Sequence, residues 1–563
     1  MAFLSEEPGF AALTRISRDW DPRSVLSPAT RAARAKLERR WRERHGGPAA
    51  TLANALSDGA ARNADAPLLF YSDSEPGRLT LGEIHAQALV VAAGLHRLGL
   101  SEGDAIAAQL PNWPQTAVLY AAAAALGLVL VPIVSIYGPT EVGFILRQSG
   151  ARALVMPSRY RRIDAVADVP RLGETPELRH LIVIGEEAPP GAISWEELTR
   201  EGDDGAGFPA PRGEAGGLSL IVYTSGTTAE PKGVQHSHES VLAEMLHGPT
   251  PPPGVPGTVN LQPFPAGHTA GLIALLSPYV HGYPTIVMDT WDADACAGLI
   301  AEHRVTAMAG TPFLLSSMLD AAERGSHDVT SLRHGITGGA GVPPALIERA
   351  EEIGWRVGRC YGSTEQPSTT GSMAGDPLQK RAYTDGRTLG ENLIRIVDEE
   401  GGELPRGEEG EIASAGPEQF IAYTDPALNE AAFLADGWLL TGDVGRIDED
   451  GYLTITDRRK DIIIRGGENI SSQEVEDLVL DLAAVAETAV VAAPDPRYGE
   501  RVCAFVVLRP GTSLTLEAVL EHFAGAGVAR HKTPERLELV SELPRTPAGK
   551  VKKHELRRRL ATG

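Results

Sequence analysis

The chain has 563 residues, 42% of them hydrophobic and 22% charged, an ordinary globular balance. That length is too great for one core and suggests roughly three or four domain-sized units. A formal charge of −22 repels nucleic acid and anionic membrane, so neither is an expected partner. Any phosphate site must therefore be assembled locally, from backbone N–H groups and a few lysines or arginines.

The start, "MAFLSEEPGF", has no basic n-region and no long apolar run, so no signal peptide is expected. Cys296, Cys360 and Cys503 are far apart and odd in number, which excludes a disulfide framework and fits a reducing, cytoplasmic compartment. Residues 1–50 form an arginine-rich lead in which "RAARAKLERRWRERHGG" reads as a helix with a basic face. The expectation is a solvated helix packed on an acidic body; the alternative is an oligomer contact, as in a homodimer, or a nucleic-acid arm.

From 51 onward, helical periodicity alternates with short apolar runs: "LTLGEIHAQALVVAAGLHRLG", "DAIAAQL", "TAVLYAAAAALG", "LVLVPIV". Apolar runs of this kind between helices predict buried parallel strands, and hence an α/β fold. Residues 105–140 carry no charge and are long enough to span a bilayer, but Gly127 and Pro132 break the run. A buried helix feeding a buried strand is the better reading, with no integral membrane span. The Pro/Gly-rich "HGPTPPPGVPG" reads as a surface loop. His236 and His238 form "HSH" with no third metal ligand nearby, and Ser237 reads as a helix cap.

The apolar run "LSLIVY" opens into "YTSGTTAEPKG", a loop rich in hydroxyls and glycine that suits phosphate. A Walker P-loop would need glycine before its lysine and a hydroxyl after it. Here Pro231 precedes Lys232 and Gly233 follows, so that reading fails. Near 441 the character of the chain changes. A "DEDG" turn lies between two strand-like runs, followed by "DRRKDIIIRGGENISSQEVEDLVL". "SSQE" predicts a capping box from Ser471 to Glu474, and Val475, Leu478, Val479 and Leu482 mark the face of the helix that follows.

Five ordered stretches resemble the signature elements of the adenylate-forming (AMP-dependent synthetase/ligase) superfamily: "YTSGTTAEPKG", "YGSTE", "TGD", "DRRKDIIIRGGENISSQEVE" and "LPRTPAGKVKK". The first departs from the family pattern at Ala229, where glycine is usual. The resemblance covers about 51–560 and leaves the basic lead unexplained. It implies a large multi-subdomain N-terminal domain over 51–459 that holds ATP and the acyl group. A small mobile α/β domain would follow over 460–563, turning about a hinge at Lys460.

The resemblance also implies roles for particular residues, and each has a physical rationale. Thr224, Ser225, Gly226, Thr227, Thr228 and Lys232 would hold the β- and γ-phosphates of ATP, hydroxyls and loop N–H groups donating and Lys232 adding a point charge. Glu365 is a hard oxygen ligand suited to Mg²⁺ beside phosphates, with Thr364 next to it. Gly339, Ala340, Tyr361, Gly362 and Ser363 would line the adenine pocket, with Ile455 against the nucleotide. Asp443 can accept both ribose hydroxyls and Arg458 can donate to them. His268, in "PFPAGHTAGL", would lie near the acyl carboxylate; the plainer reading is a core histidine. Gly466, Gly467 and Glu468 would form the CoA channel, and Lys550 would be the catalytic lysine of adenylation.

The activity implied is ATP-dependent activation of a carboxylic acid as acyl-AMP, then transfer to CoA with release of AMP and pyrophosphate. The pocket segment offers no carboxylate to pair an α-ammonium, which disfavours amino acids. Acyl-AMP-only members of the family commonly carry an insertion between the "YGSTE" and "TGD" elements, so by resemblance the compact spacing from Glu365 to Thr441 implies CoA as acceptor. The alternatives are an acyl-AMP ligase serving a carrier protein, a nucleotide-binding pseudoenzyme, and the rarer luciferase-like oxygenase. Residues near 266–272, 337–341 and 361–370 are mostly small and apolar, which suits medium-chain, alicyclic or aryl acids.

Overall fold

A computed structural model describes residues 20–45, 50–200, 207–224, 231–248, 257–325, 327–458, 461–465, 468–495, 498–526, 530–545 and 549–561. The chain divides into two compact units. The first comprises Met1–Trp291, Thr364–Pro367 and Gly416–Gly437; the second comprises Asp292–Ser363, Ser368–Ala415 and Trp438–Gly563.

In the first unit an eight-stranded sheet runs in the order Ala422–Tyr423, Lys232–Ser237, Leu218–Thr224, Val129–Pro132, Ala105–Ala108, Ala153–Pro157, His180–Ile184, Ile193–Ser194. Its central strands Val129–Pro132, Ala105–Ala108 and Ala153–Pro157 are parallel and buried along their whole length, which is why they read as unbroken apolar runs. A second set orders Asn260–Gln262, Thr285–Met288, Pro67–Tyr71 and Gly77–Thr80. One continuous apolar core joins the two, from Leu68 and Val287 to Val131 and Val183. That continuity explains why the two sheets form a single unit.

The uncharged stretch resolves as expected. Strand Ala105–Ala108 is followed by helix Pro114–Leu126, buried on every face, and then by strand Val129–Pro132. Gly127 ends the helix in the left-handed region at φ 71°. Among the described residues no helix is long and apolar enough to cross a membrane.

The basic lead is a helix, Pro28–His45, packed on the first unit. It is more than a solvated face. Trp41 is buried, Arg34 is buried, and Arg42 pairs with Glu239 at 2.7 Å. Ser237 caps helix His238–His247 by accepting from the Ser240 N–H, as the sequence predicts.

The second unit contains a run of strands ordered Ala307–Gly310, His334–Gly338, Arg356–Tyr361, Thr370–Gly371, Arg387–Thr388. It also holds an antiparallel sheet ordered Leu393–Val397, Gly410–Ala415, Leu439–Ile447, Leu453–Arg458, and the "DEDG" turn joins the last two. Its C-terminal part is a five-stranded sheet built on the long hairpin Val485–Asp495 and Gly499–Leu508. Strand alternation divides that hairpin between two cores. Val490, Val502, Ala504 and Val506 pack with Val475, Val479, Val519 and Phe523, whereas Val491, Cys503 and Phe505 pack with Leu556 and Leu560. Each face is thus covered by helix.

The capping box expected at Ser471 is only half formed. Ser471 Oγ accepts from the Glu474 N–H at 3.1 Å, but the Glu474 carboxylate pairs with Lys532 at 2.7 Å instead of returning to the cap. A full ammonium outbids a backbone N–H for the same carboxylate. Val475 and Val479 are buried on the predicted face and Leu478 is partly buried, while the helix ends at Leu480, before Leu482.

Candidate active site

Strand Leu218–Thr224 pairs antiparallel with Lys232–Ser237, Thr224 lying opposite Lys232. The hydroxyl-rich segment therefore joins two strands of a hairpin, whereas a Walker loop opens directly into a helix. Ser225, Gly226, Thr227 and Thr228 lie outside the described residues; Thr224 and Lys232 hold the two ends. Gly233 is required by close approach: a Cβ there would lie 2.6 Å from Thr424 Oγ1.

Lys232 Nζ lies 5.6 Å above the ring of Tyr423, a cation–π arrangement. The Tyr423 hydroxyl donates to Glu365 Oε1 at 2.6 Å. Burial, with the Glu365 charge beside it, pushes the Tyr423 phenol up and keeps it protonated. The main chain of Glu365 is fixed too, its carbonyl accepting from the Phe420 N–H at 2.7 Å. One residue earlier, the Thr364 carbonyl lies 2.8 Å from His236 Nε2. A carbonyl can only accept, so Nε2 carries the proton and Nδ1 accepts from Ser240 Oγ at 3.2 Å. Burial pushes the His236 imidazole down to about 4. Its role in the structure is to hold Thr364, not a metal.

His268 stands at the N-cap of helix Thr269–His281 without a side-chain capping bond. Burial pushes it down to about 4, so the ring is neutral. Among the described residues its buried Nε2 has no hydrogen-bond partner. The loop before it is held by Asn112, whose Nδ2 donates to the Phe264 and Met288 carbonyls at 2.8 Å and whose Oδ1 accepts from the Ala266 N–H at 2.7 Å. Tyr120 donates to the Ala266 carbonyl at 3.0 Å. A Cβ on Gly267 would meet Val134 Cα at 2.5 Å, and one on Gly271 would meet the Pro265 carbonyl oxygen at 2.1 Å. The loop is thus rigid and presents an unsatisfied imidazole nitrogen.

In the second unit, strand Arg356–Tyr361 delivers Tyr361 to Asp443 on strand Leu439–Ile447, the hydroxyl donating to Oδ2 at 2.8 Å. Asp443 is buried, 4% exposed. Opposite it in register stands Arg458, whose side chain lies outside the described residues. The Ile455 N–H donates to Asp385 Oδ2 at 2.9 Å, and Arg359 pairs with Asp385 at 3.0 Å. Gly362 and Ser363 follow Tyr361 as half-buried residues. Gly339, at φ 77° with open space where a side chain would stand, and Ala340 form an exposed turn after strand His334–Gly338.

Lys550 follows Gly549, which takes the left-handed φ of 81°. Its loop is closed by a bridge between Arg545 and Val551 and by the Arg545–Glu487 ion pair. A Cβ on Gly549 would lie 3.7 Å from Thr311 Oγ1, so glycine brings this loop up to the start of helix Pro312–Glu323. Lys460, Gly466 and Gly467 lie outside the described residues, and Glu468 opens the short strand Glu468–Ile470.

The structure therefore gathers Lys232, Thr364 and Glu365 into one group, and Tyr361, Asp443 and Ile455 into another. His268 and Lys550 each stand on their own loop. Sequence reasoning missed Tyr423, Asn112 and Asp385. Tyr423 sits in "FIAYTDPAL", where nothing marks it but its place opposite Val234 on the strand next to Lys232–Ser237.

The AMP-binding enzyme family matches residues 56–424, more than half of the chain, and the AMP-binding enzyme C-terminal domain matches 474–550. The chain belongs to the AMP-binding enzyme family. This AMP-binding enzyme is 34% identical over 492 residues to the medium-chain fatty-acid–CoA ligase of Escherichia coli K12, covering 86% of each chain. It is 31% identical to the sulfoacetate–CoA ligase of Cupriavidus necator, over 90% of this chain and 97% of that one. Among solved structures it resembles ATP-bound MatB from Rhodopseudomonas palustris at a TM-score of 0.78 and 29% identity, over 90% of this chain and 98% of that chain. As an AMP-binding enzyme it has the α/β fold expected, with a large N-terminal AMP-binding domain and a small C-terminal domain.

Proposed function

We propose that this chain joins a carboxylic acid to CoA by way of an acyl-adenylate. It is an AMP-forming acid–thiol ligase; relatives over most of its length are CoA ligases named for acids as different as a medium-chain fatty acid and sulfoacetate. The observation that carries the mechanism is the hydrogen bond from Tyr423 to Glu365 with Lys232 on the same ring, at the mouth of the hydroxyl-rich hairpin.

In the first half-reaction an oxygen of the acid attacks the α-phosphorus of ATP and pyrophosphate leaves. Thr224, Lys232 and the hairpin residues between them bind the outer phosphates. Glu365 suits Mg²⁺: Tyr423 occupies one carboxylate oxygen, and among the described residues the other accepts no hydrogen bond. When bound, the ion would neutralise charge at the phosphates. Asp443 accepts the ribose hydroxyls, Tyr361 and the 339–340 turn line the base, and Arg458 and Ile455 complete the nucleoside side. His268, neutral and with a buried nitrogen unsatisfied, faces the acid. Lys550 bridges the acid and the α-phosphate as charge builds.

In the second half-reaction the thiol sulfur attacks the acyl carbon and AMP leaves. Residues 460–563 turn about Lys460 relative to 51–459, removing Lys550 and bringing Gly466, Gly467 and Glu468 to the thioester site. The reading places the reaction in the cytoplasm. Small residues around the acyl pocket suit medium-chain, alicyclic or aryl acids.

The test is pyrophosphate release across a panel of carboxylic acids, with and without CoA. Acyl-CoA and AMP should form in equal amounts with the best acid. Acyl-AMP that accumulates unchanged by CoA would replace this reading with delivery to a carrier protein.

A further inference from the structure

The helix Pro28–His45 precedes the residues that the family matches, 56–424. It nevertheless sets one buried guanidinium against the segment carrying Tyr423. Arg34 is 5% exposed. Its Nη1 donates to the Ile421 carbonyl at 2.8 Å and its Nη2 to the Phe420 carbonyl at 2.5 Å. The planar fork also lies 5.0 Å over the Phe433 ring. The planar fork holds the two successive carbonyls in one rigid geometry, whereas an ammonium is a rotatable point donor.

The same two residues are held from the other side. The Phe420 N–H donates to the Glu365 carbonyl and the Ile421 N–H to the Gln235 carbonyl, both at 2.7 Å. A second lead residue acts nearby: Trp20 Nε1 donates to Gln235 Oε1 at 2.6 Å, and Gln235 Nε2 donates to the Tyr423 carbonyl at 3.2 Å. Arg34 carries a cost that mere docking would not require. Among the described residues no carboxylate forms an ion pair with it, and burial pushes its guanidinium down to about 10. Docking of the helix is already supplied by Trp41 and by the Arg42–Glu239 pair.

We infer that Arg34 is a positioning residue for adenylation: by fixing the carbonyls of Phe420 and Ile421 it sets the reach of Tyr423 onto Glu365. The inference rests on reading Glu365 as the carboxylate that faces Mg·ATP. It gives the N-terminal lead a catalytic purpose, carried out through Tyr423 and without contact with substrate.

The experiment compares Arg34→Met, Arg34→Lys, Arg42→Met and Glu365→Gln in the full chain. Amide hydrogen exchange of peptides covering 416–424 is read first, without ligand. Arg34→Met should speed exchange there about tenfold, the loss expected for hydrogen bonds to a charged donor, and Arg42→Met should not. Adenylation should slow about tenfold in Arg34→Met, with a higher Mg²⁺ requirement, while thioester formation from preformed acyl-adenylate keeps its rate. Arg34→Lys, which can reach one carbonyl, should recover part of the adenylation rate at an unchanged Tm, and it decides the matter if Arg34→Met does not fold. Equal loss of both half-reactions in Arg34→Lys, or exchange and kinetics that match the wild type in both Arg34 variants, overturns the inference. An unchanged Mg²⁺ requirement in Glu365→Gln overturns the reading of Glu365 and the inference with it. A shift in Glu365→Gln with none in the Arg34 variants overturns the inference alone.

Discussion

Glu365 in the first unit and Asp443 in the second are both held by a tyrosine hydroxyl, at 2.6 Å from Tyr423 and 2.8 Å from Tyr361. The surroundings differ. Glu365 is half-buried, with a lysine on the far side of its tyrosine. Asp443 is buried within an antiparallel sheet, in a unit where Asp385 is also buried and is partly neutralised by Arg359. Burial pushes the Asp385 carboxyl up, against the pull of Arg359. On the proposed reading, one carboxylate serves a cation and polyphosphate, and the other serves neutral hydroxyls, which need an acceptor but bring no charge. A tyrosine serves both because its O–H occupies one carboxylate oxygen and fixes the plane of the other.

If that contrast is right, substitutions on the two sides should separate in kinetics. The largest effect belongs to Glu365. Glu365→Gln should lower kcat of adenylation about 100- to 1000-fold, as expected for loss of a preorganised electrostatic group. Pyrophosphate release measured across Mg²⁺ concentrations checks it, and an effect confined to KM for ATP would break the contrast. Next is Asp443→Asn, which should raise KM for ATP about 10- to 100-fold and leave kcat within a small factor, because the ribose contact is made equally in ground and transition states. The deoxyribose form of ATP sharpens the point: wild type should discriminate against it and Asp443→Asn should not.

The two tyrosines give smaller, opposite signatures. Tyr423→Phe should reduce kcat about fivefold and Tyr361→Phe should raise KM by about the same factor, each losing one hydrogen bond to a carboxylate. Steady-state kinetics on both variants would reverse this order if the roles were exchanged.

A last effect concerns stability rather than rate. His236, fixed neutral under Thr364, has its folded pKa depressed to about 4, so the unfolded chain takes up the proton first as pH falls. Its contribution is therefore complete above about pH 6.5 and is lost progressively toward pH 4, on the order of 3 kcal/mol in all. Tm followed from pH 7 to 4.5 should fall, and His236→Gln should flatten the fall. A Tm in wild type that rises with acid would contradict the neutral assignment.

The apolar runs at Ala105–Ala108, Val129–Pro132 and Leu218–Thr224 announced their strands because strands inside the sheet are buried on both faces and do not alternate. Gly127 and Pro132 separated a buried helix from a membrane span for a local reason, the conformations those residues allow. The signature stretches pointed to Glu365, Asp443 and Lys232 because such chemistry needs charged or hydroxyl side chains in glycine-rich loops. None of them pointed to Tyr423 or Asn112, which lie 58 and 152 residues along the chain from partners at Glu365 and Phe264. Nor did a basic face on the lead helix reveal that Arg34 points inward to Phe420 and Ile421, 386 and 387 residues away. The half-formed cap at Ser471 has the same origin, since Lys532 competes for Glu474 only once the chain has folded. Sequence by itself determines what a residue can donate, accept or bury within a few positions of itself. Which donor meets which acceptor across the sheet is decided by strand order and packing, where the cost of an unsatisfied buried group selects partners that no local pattern contains.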